Sequence, residues 1–293
     1  MAKISAMAAR RQPPTVRLRR LGNVLARLRE GAGLTLAFVT ERTGIDRTTL
    51  YRIEKGLARP QKRTLTALLD LYDVPAADRE DLFTLARPTT EKSWLQSFPE
   101  ALPQPYRAYI GLEGEAELIL NYESLFMPGL LQTEDYARAA LQAGALTAPP
   151  CVVEQLVEAR MSRQAVLSRT PPLRLWAIVD EGALRRPVGG RDAMRAQLKY
   201  LAESAEVPHV TFQVIPYDVG PHPGMAGSFA VMRFGEPAAS DVVYVEGQGN
   251  DLFLEGEAEI RRFNRIFEHL RALALSPTGS VEWIRKIARE QSA

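Results

Sequence analysis

The chain has 293 residues, of which 46% are hydrophobic and 25% are charged, a composition typical of a folded globular protein. No apolar run reaches about 18 residues and none follows the basic N-terminus, so we expect neither a membrane span nor a secretory signal. The single cysteine, Cys151, excludes an internal disulfide and a cysteine-based zinc cluster, and it predicts a reducing, cytoplasmic location.

The net charge of +2 hides an asymmetry along the chain. Residues 1–63 contain fifteen Lys and Arg but four acidic residues, whereas the remaining 230 residues have a net charge of −9. A basic block joined to an acidic body predicts a polyanionic partner for the block alone. Within that block, the small residues, basic residues and prolines of residues 1–14 predict a flexible basic arm.

Residues 15–87 show the pattern of five short helices. Leucines at three- and four-residue spacing predict the apolar face of the first helix. They are Leu18, Leu21, Leu25 and Leu28. Thr35 and Asp46 are suited to begin the second and third helices, because their side-chain oxygens accept hydrogen bonds from free N–H groups. Apolar spacing predicts a fourth helix near residues 65–72 and a fifth over residues 78–86.

Two short helices joined by a tight glycine turn form the unit that places a helix in the major groove of DNA. The motif elements are Gly-Leu-Thr at 33–35, Thr-Gly-Ile at 43–45 and Ile-Glu-Lys-Gly at 53–56. This spacing resembles the Xre-type helix-turn-helix family, which includes the small phage repressors. Leu36 replaces the usual Gln of that family, and Thr40 replaces a small Ala.

The resemblance implies a role for each matching position. Arg47, Thr48 and Arg52, on the outward face of the third helix, are expected to read base edges, since Arg can bind guanine O6 and N7 together. Arg29 and Glu54 correspond to an ion pair that supports the fold. Other residues are expected at the DNA backbone. These are Tyr51, Lys55, Arg59, Lys62 and Arg63.

Prolines with scattered aromatic residues predict a linker over residues 88–108. Residues 109–293 then alternate between helical and strand patterns, with residues 113–122 suited to either. The predicted fold is therefore multidomain: an all-α five-helix helix-turn-helix domain followed by a mixed α/β (α+β) domain. The strand patterns cover residues 173–179, 210–215, 229–234 and 242–245.

Four motifs mark the larger domain. They are MPGLLQTEDYA at 127–137, RMSRQ at 160–164, DEGALR at 180–185 and GSF at 227–229. Together they resemble a domain of unknown function that follows Xre-type readers in many actinobacterial regulators. The resemblance implies a regulator, of a kind often encoded beside a small partner protein, and we expect no cofactor.

Two features of this domain are candidates for a ligand or partner site. Phe126, Met127, Leu130 and Leu131 flank a Pro-Gly step, and they suit either a groove for a partner helix or small apolar effector, or an ordinary core turn. His222 lies between two prolines, where it suits either a ligand contact or a plain surface loop. No catalytic motif occurs, so we expect no enzyme, no catalytic residue and no metal site.

The sequence thus predicts a transcriptional regulator that binds double-stranded DNA, with activation and repression both open. A homodimer on a palindromic operator is expected, because two readers about one DNA turn apart add affinity. The larger domain is expected to bind a small-molecule effector or a small neighbour-encoded protein. Two alternatives stay open: an antitoxin-like interaction scaffold that autoregulates its operon, and an enzyme fused to a DNA reader.

Overall fold

A computed structural model of the protein describes residues 16–86, 102–144, 148–235, 241–247 and 251–291. The predicted flexible arm and most of the predicted linker lie outside these ranges. Gln104, inside the predicted linker, begins a helix with Pro105 in its first turn, where the missing N–H has no partner to lose. The chain divides into two compact units.

The first unit is built from five helices, as predicted. They are α1 (Val16–Gly31), α2 (Leu36–Thr43), α3 (Arg47–Glu54), α4 (Lys62–Leu71) and α5 (Ala76–Ala86). Their apolar faces meet in a single core, which explains how such short helices are stable. The fully buried members of that core are Leu21, Leu25, Val39, Leu50, Leu65, Leu68 and Leu69.

Helix α3 is fixed at both its start and its packing face. Asp46 caps it by accepting a hydrogen bond from the backbone N–H of Thr49 at 2.9 Å. On its inner side, Gly22 of α1 lies so close that a Cβ there would come within 2.6 Å of the carbonyl oxygens of Ile53 and Glu54. The absence of a side chain at Gly22 therefore lets α1 approach the backbone of α3 directly.

The second unit is a mixed sheet with helices, which confirms the predicted α+β architecture. Its strands are β1 (Leu118–Glu123), β2 (Arg174–Asp180), β3 (Val210–Ile215), β4 (Phe229–Arg233), β5 (Val242–Val245) and β6 (Leu252–Leu254). The strand order is β3-β2-β1-β4-β5-β6. Strands β1, β2 and β3 are mutually parallel, whereas β4, β5 and β6 pair antiparallel. The carboxyl ends of the three parallel strands therefore share one edge of the sheet.

Seven further helices occur within the described residues, and all but the Tyr106–Gly111 part of the first of them belong to the second unit. They are α6 (Gln104–Glu115), α7 (Glu134–Gly144), α8 (Pro150–Arg163), α9 (Glu181–Arg185), α10 (Gly190–Ser204), α11 (Glu257–Leu273) and α12 (Pro277–Glu290). Phe267 and Leu270 of α11 pack on the sheet. The ambiguous region 113–122 contains the end of α6 and all but the last residue of β1.

A buried ion pair joins α6 to α8. The Nε and Nη2 atoms of Arg163 donate to the two carboxylate oxygens of Glu113 at 2.7 and 2.8 Å. Only 4% of the Arg163 side chain and 1% of the Glu113 side chain are exposed to solvent. Two charges removed from water in this way are tolerated because each satisfies the other in a two-bond geometry.

Candidate functional site

Helix α3 presents a polar outer face and an apolar inner one. Arg47, Thr48 and Tyr51 are exposed, and Arg52 is half-buried. The inward Leu50 is fully buried, so the helix cannot rotate without exposing its apolar side. Residues 47, 48, 51 and 52 therefore share one accessible surface, which we call the reading face.

Glu54, at the end of α3, ties the reading face to the rest of the first unit. Its two carboxylate oxygens accept hydrogen bonds from Nε and Nη2 of Arg29 at 2.7 and 3.0 Å. Nη1 of Arg29 donates to the carbonyl of Leu34, just before α2, at 3.0 Å. The hydrogen bonds to Glu54 raise the pKa of Arg29 above its ordinary value. One guanidinium thus joins α1, α3 and the turn that precedes α2.

The cations expected at the DNA backbone fall into two groups. Lys55, Lys62 and Arg63 are exposed, and Lys55 Nζ lies 6.0 Å from the centre of the Tyr51 ring. Arg59 is half-buried and donates from Nη1 to the carbonyl of Ala86 at 2.7 Å. Burial lowers the pKa of Arg59. The structure therefore gives Arg59 a role in holding the end of α5, which sequence reasoning missed.

The two departures from the family pattern have visible consequences. Leu36 packs against the core of the first unit, so the first turn of α2 has no side-chain amide to offer to a phosphate. The hydroxyl of Thr40 is buried, and no hydrogen-bond partner for it occurs among the described residues.

A second polar cluster lies in the C-terminal unit, where the parallel strands end. Open sheets bind ligands preferentially at this kind of edge. Nε2 of His222 lies 3.3 Å from Oδ2 of Asp180, the last residue of β2. The His222 ring also meets the Tyr122 ring of β1 edge-on, with the ring centres 6.1 Å apart.

The environment of His222 differs from the exposed loop position that the flanking prolines suggested. Only 3% of its side chain is exposed. Its Nδ1 atom and the Tyr122 hydroxyl are both buried, and neither has a hydrogen-bond partner in the part of the chain that the structure describes. Sequence reasoning missed Asp180 and Tyr122 as site residues, because Asp180 stood out only as the first residue of the DEGALR motif and Tyr122 only as the end of a region suited to helix or strand. A carboxylate at a strand end beside a helix start was the available signal.

Glu123, the last residue of β1, adds a second acid at the same edge. Its carboxylate accepts a hydrogen bond from the side-chain amide of Asn121 at 3.2 Å. The Ser228 hydroxyl forms a second hydrogen bond with the Glu123 carboxylate. The same hydroxyl accepts a hydrogen bond from the backbone N–H of Ser124 at 3.1 Å. Burial raises the pKa of Glu123 to about 7, against the opposing effect of these hydrogen bonds.

The raised pKa of Glu123 predicts a pH-dependent stability. The unfolded chain releases this proton near pH 4.5, but the folded chain releases it only near pH 7. Its contribution to stability is therefore present at low pH and is lost as the pH rises between these values. We expect Glu123→Gln to raise the free energy of unfolding at about pH 8 by about 3 kcal/mol and to flatten the dependence of that free energy on pH.

Urea denaturation at several pH values measures this effect. Glu158→Gln, at an exposed position on α8, is the matched control. It should leave the free energy of unfolding as dependent on pH as in the wild type. If Glu123→Gln retained the full pH dependence of the wild type, Glu123 would not be the titrating group.

The apolar run near the Pro-Gly step is mostly core. Met127, Leu130 and Leu131 are each at most 3% exposed, whereas Phe126 is 41% exposed. The N–H of Met127 donates to the Tyr136 hydroxyl at 3.1 Å, which pins the start of the run. Of the predicted apolar groove, Phe126 alone remains accessible, and the burial favours the core-turn alternative for the others.

Comparison with known families assigns both units. A helix-turn-helix domain matches residues 20–82, which contain the reading face. A domain of unknown function, DUF5753, matches residues 106–286, well over half of the chain. Comparisons with curated proteins and with solved structures gave no match.

No helix in the described ranges is long and apolar enough to cross a membrane. Among the same residues, no group of three or more His, Cys, Asp and Glu side chains is placed to hold a metal ion.

The helix-turn-helix unit is a DNA-binding domain of the kind found in regulators. The chain belongs to the family of proteins that carry the DUF5753 domain, here preceded by a helix-turn-helix domain.

Proposed function

We propose that this protein is a sequence-specific transcriptional regulator that binds palindromic DNA as a homodimer. Its C-terminal unit receives the controlling input, from a small molecule or from a small partner protein. The observation that carries the proposal is the reading face, because Arg47, Thr48 and Tyr51 are exposed on a helix whose start, end and inner side are all fixed.

The roles within the reading face follow from side-chain chemistry. Arg47 and Arg52 suit guanine, whose O6 and N7 accept two parallel hydrogen bonds from one guanidinium. Thr48 suits a thymine methyl or a base acceptor. Lys55, Lys62 and Arg63 suit phosphates, which position the protein without specifying sequence. Tyr51, which carries Lys55 over its ring, suits the sugar-phosphate wall beside the bases.

The homodimer is supported by the size of one reader. Helix α3 has eight residues, about 12 Å of helix, and it reaches only a few base pairs. Two copies spaced by about 34 Å would double the contacts and would select a palindrome.

Regulation is proposed to act by differential binding. An input that prefers the conformation of the dimer with correctly spaced readers would raise DNA affinity, and one that prefers another spacing would lower it. The proposal includes no catalysis. The burial of His222 supports this, since a substrate would have to displace its loop to reach the ring.

Substituting Arg47 tests the reading face. The operator is first selected by the full-length protein from a pool of random duplexes. We expect Arg47→Ala to weaken operator binding by about 1–3 kcal/mol, roughly 5- to 150-fold, and to relax base preference at one position per half-site. Titration by fluorescence anisotropy and a repeated selection measure the two effects.

Arg47→Lys is the matched variant, because it keeps the positive charge but loses the two-bond geometry. It should relax base preference as strongly as Arg47→Ala. Lys62→Ala should instead weaken binding to every duplex and reduce its salt dependence. If both Arg47 variants selected the wild-type operator unchanged, Arg47 would be a phosphate contact.

A further inference from the structure

A groove of about 740 Å³ lies between helices α10 and α12 of the C-terminal unit. Four cations line it, two from each helix: Arg195, Lys199, Arg285 and Arg289. Glu203 is the one carboxylate among its lining residues. The lining residues thus carry more positive than negative charge, whereas residues 64–293 as a whole have a net charge of −9.

Three of these cations already have a carboxylate partner, and all three pairs are exposed. Lys199 lies 3.8 Å from Glu203, which itself lines the groove. Asp192 and Glu206, which bind Arg195 at 2.9 Å and Arg285 at 3.1 Å, do not line the groove. Each of these two arginine side chains is more than half exposed. Exposed ion pairs contribute only about 0–1 kcal/mol, so an incoming carboxylate can replace them at little cost.

The floor of the groove suits a helix. The apolar lining residues are Leu198 and Ala202 of α10 and Ile284 and Ala288 of α12. The two alanines, one on each wall helix, are small enough for a third backbone to approach closely. Packed helices have their axes about 8–10 Å apart when small side chains meet. The aliphatic stems of the arginines and of Lys199 supply apolar walls beside this floor.

The openness of the groove argues for a protein rather than a metabolite. Small-molecule sites enclose most of the surface of their ligand, whereas the charged walls here are largely exposed. The groove also differs from a surface that binds DNA phosphates. Such a surface needs cations alone, whereas this groove has apolar residues between its two rows of cations. Amphipathic helices commonly bind in grooves of this shape, with their apolar face inward.

We propose that the groove between α10 and α12 binds an acidic amphipathic helix of a partner protein. Small apolar residues of that helix lie on Ala202 and Ala288, and its carboxylates flank them and meet the four cations. This deepens the proposed function by choosing a protein as the input and by giving its binding surface.

The probe is a labelled helical peptide of about 15 residues, which spans about 22 Å, the length of α10. It has Ala and Leu on one face and Glu along both flanks. A second peptide has Lys in place of every Glu. We expect the full-length protein to bind the acidic peptide with micromolar affinity, to ignore the basic one, and to lose affinity as salt is raised.

Paired charge reversals locate the site. Arg195→Glu with Arg289→Glu should weaken binding of the acidic peptide at least tenfold. Arg191→Glu with Lys286→Glu is the matched control, since it reverses one exposed cation on each helix outside the groove. That control should change binding less than twofold.

Three results would overturn the proposal: no binding of the acidic peptide, equal weakening by both double variants, or complete displacement of the peptide by random duplex DNA or by inorganic phosphate. Operator binding is measured in parallel on the same proteins. Loss of peptide binding with intact operator recognition refutes the groove alone, whereas failure of operator selection by the wild type refutes the proposed function.

Discussion

Replacing Glu113 with Ala should lower the free energy of unfolding of the C-terminal unit by about 3–5 kcal/mol. The variant leaves the guanidinium of Arg163 inside the protein without its carboxylate, at a position where 4% of the side chain is exposed. Domains of this size are stable by about 5–15 kcal/mol, so the loss removes a large share of the total. Trp176 and Trp283 both lie in this unit, and their fluorescence during urea denaturation reports on its unfolding.

The double variant Glu113→Leu with Arg163→Met separates the cost of burying Arg163 without Glu113 from the value of the ion pair. Apolar side chains of similar volume need no charged partner, and buried pairs replaced in this way often lose little stability. We expect the double variant to recover at least half of the loss caused by Glu113→Ala. A double variant as unstable as the single one would mean that the lost stability comes from the hydrogen bonds of the pair and not from burying Arg163 without Glu113.

The helix-turn-helix unit was predictable because its signals are local. Thr35 and Asp46 cap the helices they precede, and the backbone N–H groups they bind are three residues away. The chain turns at Gly44 with a φ of 68°, which glycine adopts without strain. The pairing of Arg29 with Glu54, 25 residues apart, was accessible only through the family pattern.

The C-terminal unit was predictable in its strands but not in its site. Alternating apolar residues mark β2 and β3, since the pattern depends on each strand alone. The meeting of Asp180 with His222, 42 residues apart, depends on how a loop crosses the edge of the sheet. The burial of Met127 likewise accompanies a hydrogen bond from its backbone N–H to the Tyr136 hydroxyl of α7, and no local sequence pattern predicts that contact.

The groove between α10 and α12 could not be predicted from local sequence patterns either. Its cations are scattered in the sequence as ordinary exposed residues of two amphipathic helices. Arg195 and Arg289 come together only because the chain returns from α11 to place α12 beside α10. Charge counted along the sequence therefore identifies the basic reader and overlooks a basic surface on the acidic unit.

Replacing Glu54 with Ala should lower the free energy of unfolding of the first unit by about 2–4 kcal/mol. The change removes both strong hydrogen bonds of Arg29 at a point where its side chain is 11% exposed. The loss is smaller than for Glu113 because Glu30 also lies 3.1 Å from Nη2 of Arg29 and can shield part of its charge. Operator affinity should fall as well, since Glu54 ends the helix that carries the reading face. Helical circular dichroism during thermal unfolding and anisotropy titration measure the two effects.

Glu30→Ala is the decisive control, because Glu30 binds the same guanidinium from a position that is 67% exposed. Water and salt screen such a pair, and its removal should cost about 0–1 kcal/mol and leave operator affinity unchanged. The two carboxylates thus differ in burial but share one partner. If Glu30→Ala and Glu54→Ala were equally destabilising, burial would not set the strength of this contact. If Glu54→Ala left operator affinity unchanged at a temperature where the unit stays folded, Glu54 would stabilise the reader without positioning α3.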